Sequence, residues 1–160
     1  MADLTVVAVG SLKEKYFRDA ADEYKKRLSA SWKVDEIEIK EEKTPSSPSA
    51  AQIADALEKE GERILSAIPK RAYAIALCIE GREVDSRGLS RMIEDVKNTG
   101  SSSVCFIIGS SHGLSERVKE KCRERLSMSK MTFPHELARV MLYEAVYRAS
   151  EISRGTGYHK

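Results

Sequence analysis

Short apolar runs alternate with longer amphipathic stretches over most of the chain. The runs are rich in β-branched residues and end at glycine or polar residues, which is typical of buried strands. They predict strands over residues 4–9, 34–39, 72–79 and 104–108, and a short fifth strand around residues 126–128.

Between these runs, apolar side chains recur at helical spacing with charged residues among them. This pattern predicts helices over residues 13–28, 53–68 and 89–96, a short helix that begins near Ser115, and a long helix from Pro134 to about Ser153. Proline is favoured at the first position of a helix, so Pro134 is expected there. Residues 41–49 and 154–160 are rich in proline, glycine or polar residues and are predicted to be irregular.

The order of these elements predicts the fold class. Strands that alternate with helices indicate an α/β fold with a mainly parallel sheet flanked by helices on both faces. The chain has 160 residues and shows neither an internal repeat nor a linker, so a single domain over residues 1–160 is expected.

Composition narrows the function classes only slightly. The net charge is +2, but residues 116–160 hold ten Lys or Arg and six Asp or Glu, a local net charge of +4. Such a region suits a phosphate partner, although on charge alone a solvated face is the favoured interpretation. The sequence shows no signal peptide and no membrane-spanning run, and its three cysteines form no CxxC pair. We therefore expect a cytoplasmic protein with no disulfide, no metal site and no membrane partner.

Parallel sheets bind ligands at the carboxyl ends of their strands, which lie here at residues 77–82, 109–113 and 128–133. The second segment, Gly109-Ser110-Ser111-His112-Gly113, has small residues that let a ligand approach the backbone closely. It lacks the Lys-Ser/Thr of a P-loop and the dinucleotide glycine spacing, so an ordinary turn is also compatible. Main-chain amide and carbonyl groups of the third segment could form hydrogen bonds with the edge of a purine. Alternatively, this segment only connects a strand to a helix.

The end of the sequence carries a third candidate set. Arg148 and Arg154 are followed by Tyr158, His159 and Lys160. An aromatic ring, an imidazole and cationic groups suit a nucleic-acid partner through stacking, proton handling and phosphate contact. Chain ends are commonly disordered, which is the competing interpretation.

At these residues the sequence resembles the RlmH family over essentially its whole length. The most specific part is Leu126-Ser127 through Pro134-His135 combined with Tyr158-His159-Lys160. Shorter matches support it along the chain: Val7-Ala8-Val9-Gly10, Glu23-Tyr24 with Arg27-Leu28, Lys59-Glu60-Gly61, Phe106-Ile107-Ile108-Gly109, Gly113-Leu114-Ser115, Arg139-Val140, Glu144 and Tyr147-Arg148-Ala149.

The resemblance implies a SPOUT-type methyltransferase with a C-terminal trefoil knot, a homodimer that uses S-adenosylmethionine. Its implied reaction is methylation of N3 of a pseudouridine in 23S rRNA on assembled ribosomes. Knots are rare, so physics alone would predict an unknotted sheet. The rival hypothesis is a nucleotide-binding α/β assembly or regulatory factor without methyl transfer.

The same resemblance implies catalytic, RNA-facing and cofactor-binding roles for particular residues. His159, Arg154 and Tyr158 are implied to be catalytic, with His159 as the first candidate for the general base, and Arg148 and Lys160 are implied to face RNA. The cofactor-binding residues are implied to be Leu77, Gly109, Met128, Ser129, Lys130, Met131, Thr132 and Phe133. One residue departs from the family pattern, because Ser110 stands where a second glycine is usual.

Overall fold

The computed structural model describes residues 2–160 and contains five strands and five helices in strict alternation. The elements are β1 (Ala2–Val9), α1 (Lys15–Leu28), β2 (Trp32–Ile39), α2 (Ala50–Ala67), β3 (Tyr73–Glu83), α3 (Ser86–Asn98), β4 (Ser103–Ile108), α4 (Glu116–Lys121), β5 (Glu124–Ser127) and α5 (His135–Ser153). Every predicted strand and helix is present. The single domain over residues 1–160 stays a prediction, and residue 1 lies outside the described part.

The five strands form one sheet in the order β2-β1-β4-β3-β5, and every neighbouring pair is parallel. This confirms the predicted mainly parallel sheet. The two most apolar strands, β1 and β4, lie side by side inside the sheet, where both of their faces are covered.

Alternate residues of β1 and β4 supply two apolar layers. Leu4 and Phe106 belong to the larger layer, which packs against α1, α3 and α5. Val7 and Ile107 face the opposite side and pack against α2 and α4. Helices therefore cover both faces of the sheet, as an α/β fold requires.

The structure corrects several predicted boundaries. Helix α2 begins three residues earlier than predicted because Ser49 and Gln52 form a reciprocal capping box. Pro134 is the N-cap residue of α5, so its predicted place at the first helical position was wrong, and His135 takes that place. Strand β5 ends at Ser127, which leaves Met128 in the loop that follows.

Buried polar contacts fix α5 against the sheet. The Arg139 side chain is 1% exposed, and its Nη1 donates to Glu38 Oε2 at 2.7 Å. Its Nη2 donates to the carbonyl of Gly10 at 3.2 Å. The first half of α5 is thereby held at the carboxyl ends of β1 and β2.

The pairing of β3 with β5 is irregular. Leu126 pairs with both Leu77 and Arg82, so residues 78–81 leave the ladder and return to it. A Cβ atom on Gly81 would lie 2.7 Å from the backbone of Leu126. Only glycine fits where these two backbones approach so closely. The trefoil knot that the resemblance implies stays a prediction.

None of the helices formed by residues 2–160 has the length and hydrophobicity needed to span a bilayer.

Candidate active site

A cavity of 690 Å³ lies at the carboxyl edge of the sheet. The second half of β3 (residues 77–80) and the segments after β4 and β5 form it, together with the beginning of α5. These are the three strand ends at which the sequence predicts a ligand. The topology brings them together because β4, β3 and β5 are neighbours in the sheet.

Most of the predicted cofactor-binding residues line this cavity. Those in the lining are Leu77, Gly109, Met128, Ser129, Met131, Thr132 and Phe133. Lys130 is outside it, since its side chain is 87% exposed and its Nζ lies 4.0 Å from a Glu83 carboxylate oxygen. The structure thus does not bring Lys130 into the cavity with the other seven.

The segment after β4, residues 109–113, is tightly folded and is called the glycine loop below. Gly113 has a φ of +89°, which favours glycine, and its N–H donates to the carbonyl of Ser110 at 2.9 Å. A Cβ atom on Gly109 would lie 2.3 Å from the Gly113 carbonyl oxygen. Both glycines are therefore needed for the close turn that forms this wall of the cavity.

The segment after β5 is shaped by its two serines. Ser127 Oγ donates to the carbonyl of Ser129 at 3.0 Å, and Ser129 Oγ accepts from the Met131 N–H at the same distance. These bonds turn the chain back toward α5. Met131 remains 70% exposed at the rim.

Two charged lining residues were missed by the sequence analysis. Lys119 of α4 donates to the carboxylate of Glu80 in the irregular part of β3, and both side chains line the cavity. The hydrogen bond from Lys119 lowers the pKa of Glu80. Because the two residues are 39 positions apart, the sequence pattern did not predict that they contact each other.

The cavity suits S-adenosylmethionine in size and chemistry. Apolar side chains such as Leu77 and Phe133 fit a purine and its ribose, and the glycine loop allows close backbone contact. Glu80 and Lys119 offer opposite charges to the zwitterionic amino acid portion. Within residues 2–160, no group of three or more His, Cys, Asp or Glu side chains is arranged to hold a metal ion.

The C-terminal segment, residues 154–160, is irregular as predicted, and its Tyr158 and His159 pack on α5. His159 Nδ1 lies 3.2 Å from Arg148 Nη1, and Arg148 is also bonded to Glu144, which raises its pKa. The Tyr158 ring contacts Tyr147 edge to face at 4.8 Å. Arg154 Nη1 donates to Glu151 at 2.9 Å.

These residues lie far from the cavity of their own chain. Among residues 2–160, the cavity lining includes none of Arg148, Arg154, Tyr158, His159 and Lys160. His135 lines the cavity at the start of α5, and Arg148 follows thirteen residues later. At 1.5 Å per residue the two positions are about 20 Å apart along the helix. The structure thus does not bring the proposed catalytic and cofactor-binding groups together within one chain.

Comparison with known proteins identifies the class. A family model described as "Predicted SPOUT methyltransferase" matches residues 2–159, and the chain belongs to this family. It is a methyltransferase whose cofactor is S-adenosylmethionine.

Individual relatives are similar over nearly the whole chain. The chain is 48% identical to the ribosomal RNA large subunit methyltransferase H of Shouchella clausii, over 99% of both chains. It is 47% identical to the protein of the same name from Clostridium acetobutylicum, again over 99% of both. A solved structure of a probable methylase family protein from Haemophilus influenzae matches with a TM-score of 0.57, covering 98% of this chain and 70% of that one. At 13% identity this structure supports the fold alone.

Proposed function

We propose that this protein methylates N3 of a pseudouridine in 23S rRNA on assembled ribosomes. The observation that carries the proposal is its 47–48% identity, from end to end, to proteins named ribosomal RNA large subunit methyltransferase H. Membership of a methyltransferase family disfavours the rival hypothesis of a nucleotide-binding factor without methyl transfer.

The cavity residues bind and orient the cofactor in this proposal. S-adenosylmethionine, when bound, supplies an electrophilic methyl group. The glycine loop and residues 128–133 would hold the cofactor, with Lys130 at the surface, and Glu80 and Lys119 would be available to its charged amino acid portion. Holding N3 of the base and the methyl group in line within roughly 3–3.5 Å provides much of the catalysis.

The C-terminal segment supplies the acid–base chemistry. N3 of a pseudouridine carries a proton and is a poor nucleophile until that proton leaves. His159 accepts the proton, because an imidazole titrates near neutral pH. Arg154 stabilises negative charge on the base oxygens, and Tyr158 stacks on or orients the base. Arg148 and Lys160 contact RNA phosphates.

This division of labour requires a homodimer with shared sites. Since His159 and Tyr158 pack on α5 about 20 Å from their own cavity, they act at the cavity of the partner subunit. Two large apolar side chains at the cavity rim, Ile79 and Met131, are 51% and 70% exposed. A partner subunit or the RNA substrate would cover them.

The ribosome is the proposed substrate, which places the protein in the cytoplasm. A net charge of +2 gives little nonspecific affinity for RNA, so recognition relies on the shape of the assembled particle. The test compares methyl transfer to unmodified ribosomes, to isolated large subunits and to free 23S rRNA. We expect ribosomes to be methylated at least 100-fold faster than free rRNA, as correct positioning contributes factors of this size. Equal rates on both would contradict recognition of the assembled particle.

A further inference from the structure

Glu60 is a buried carboxylate on the face of α2 that packs behind the glycine loop. Its side chain is 2% exposed, although it carries a carboxylate. Within residues 2–160, no Lys or Arg lies within ion-pair distance of it, and neutral groups provide its hydrogen bonds. Burial of a carboxylate without a counterion is costly. We therefore expect such a carboxylate where its hydrogen bonds hold neighbouring segments of the chain in place.

Each oxygen of Glu60 holds a different loop. Oε1 accepts a hydrogen bond from Ser110 Oγ at 3.0 Å, in the glycine loop. Oε2 accepts from the main-chain N–H of Glu42 at 2.9 Å, in the segment after β2. The residue therefore joins the cavity wall to the neighbouring loop through α2.

The next residue, Gly61, lets α2 pack closely against the start of α4, just beyond the glycine loop. A Cβ atom there would lie 2.9 Å from Ser115 Oγ and 3.2 Å from a Val118 methyl group. Ser115 caps α4 by accepting from the Val118 N–H at 3.3 Å. Helix α2 thus contacts the loop at Ser110, just after its first glycine, and at Ser115, just after its last.

These contacts also explain the departure at Ser110. Its side chain is 7% exposed and donates to Glu60, and Ser110 is also part of the cavity lining. The serine hydroxyl therefore adds a hydrogen bond between this wall of the cavity and α2. A glycine at this position would leave one oxygen of Glu60 without that donor.

We propose that Glu60 is a positioning residue for S-adenosylmethionine, acting through Ser110 to hold the glycine loop in its binding conformation. The inference rests on the cofactor site of the proposed function and does not depend on the RNA target. Glu60 does not line the cavity, and its effect on affinity passes through the loop.

The test measures cofactor affinity of the full-length protein by calorimetry, with no RNA present. Glu60→Met keeps the length of the side chain and removes both acceptors, and we expect it to weaken binding about tenfold, the loss of one charge-assisted hydrogen bond. Glu60→Gln should bind within about threefold of wild type, because its amide oxygen accepts from Glu42 while its NH2 donates to the Ser110 hydroxyl. Glu58→Gln is the matched control, since Glu58 is an exposed residue of the same helix.

Two further measurements separate positioning from a general loss of structure. The double variant with Ser110→Ala should bind no more weakly than Glu60→Met alone, because both changes break one interaction. Hydrogen exchange without cofactor should be faster at residues 109–114 in Glu60→Met, with α3 unchanged. The proposal is wrong if Glu60→Met lowers the melting temperature but leaves cofactor affinity intact. It is also wrong if the losses of affinity caused by Glu60→Met and by Ser110→Ala multiply in the double variant. These outcomes are independent of whether 23S rRNA is methylated.

Discussion

The guanidinium of Arg148 lies 4.8 Å from the centre of the Tyr158 ring, within cation–π distance. With the Arg148–His159 contact, this gives the C-terminal segment a defined location on α5 without RNA. Two groups proposed to act on the base are therefore arranged beforehand, which would lower the entropy cost of assembling the proposed site with the cavity of a partner subunit.

His159→Ala should separate catalysis from cofactor binding. Loss of a general base typically reduces turnover by about 100-fold or more. The affinity for S-adenosylmethionine should not change, because His159 is remote from the cavity of its own chain and is proposed to meet only the base at the partner's site. Single-turnover methyl transfer and calorimetry on the same preparation test both statements, with Lys97→Ala as an exposed control. A loss of cofactor affinity would refute the assignment.

Shared active sites predict complementation between two inactive variants. Gly109→Val blocks the glycine loop, since even a Cβ atom there would lie 2.3 Å from the Gly113 carbonyl oxygen. His159→Ala leaves the cavity intact. Equal mixing by unfolding and refolding should restore about a quarter of wild-type activity, because half of the dimers are mixed and each has one intact site. Activity no higher than that of the separate variants would indicate that each chain uses its own segment.

The close approach of β3 to β5 predicts a stability effect at Gly81. Gly81→Ala would force a methyl group to within 2.7 Å of the Leu126 backbone and should lower the free energy of unfolding by about 1–3 kcal/mol. Gly157→Ala is a matched control with no atom within 4 Å, and its effect should stay within about 0.5 kcal/mol. Urea unfolding of both variants tests this. Equal stability of the two variants would mean that the close approach is absent.

Alkaline pH should destabilise the protein through Cys105. Burial raises the pKa of this thiol to about 12, above its ordinary value of 9.0. The folded state therefore holds the proton more tightly than the unfolded state. The contribution of the protonated Cys105 thiol to the free energy of unfolding is complete below pH 9. As the pH rises toward 12 this contribution is lost by roughly 1 kcal/mol per pH unit.

Urea midpoints measured from pH 8 to pH 11 test the role of Cys105. The Cys105→Ala variant should lose stability less steeply than wild type, even though its packing is slightly worse at every pH. Identical slopes for the two proteins would show that the thiol does not contribute.

Much of the fold was predictable because the central strands have continuous apolar sequences. Residues 4–9 and 104–108 are almost wholly apolar, which only strands buried on both faces require. Element ends were less predictable, as at Ser49, where a capping box begins α2 ahead of its apolar periodicity. The register shift of β3 at residues 78–81 could not be predicted, because Gly81 is the single residue in the sequence that marks the close approach to Leu126.

The candidate site was predictable where it consists of strand ends. Segments 109–113 and 128–133 meet because neighbouring parallel strands end at one edge. The Glu80–Lys119 and Glu60–Ser110 contacts join residues 39 and 50 positions apart and depend on the tertiary structure. Lys130 was expected among the cofactor-binding residues from its motif, yet its side chain points to solvent.

The most direct test of the central claim is methyl transfer from labelled S-adenosylmethionine to ribosomes that lack the native modification, followed by mass mapping of the rRNA. The account predicts label at N3 of a single pseudouridine in 23S rRNA, and a rate of labelling lower by about 100-fold or more when His159→Ala replaces the wild type. Label at another nucleotide, or no transfer by a protein that binds the cofactor, would contradict it.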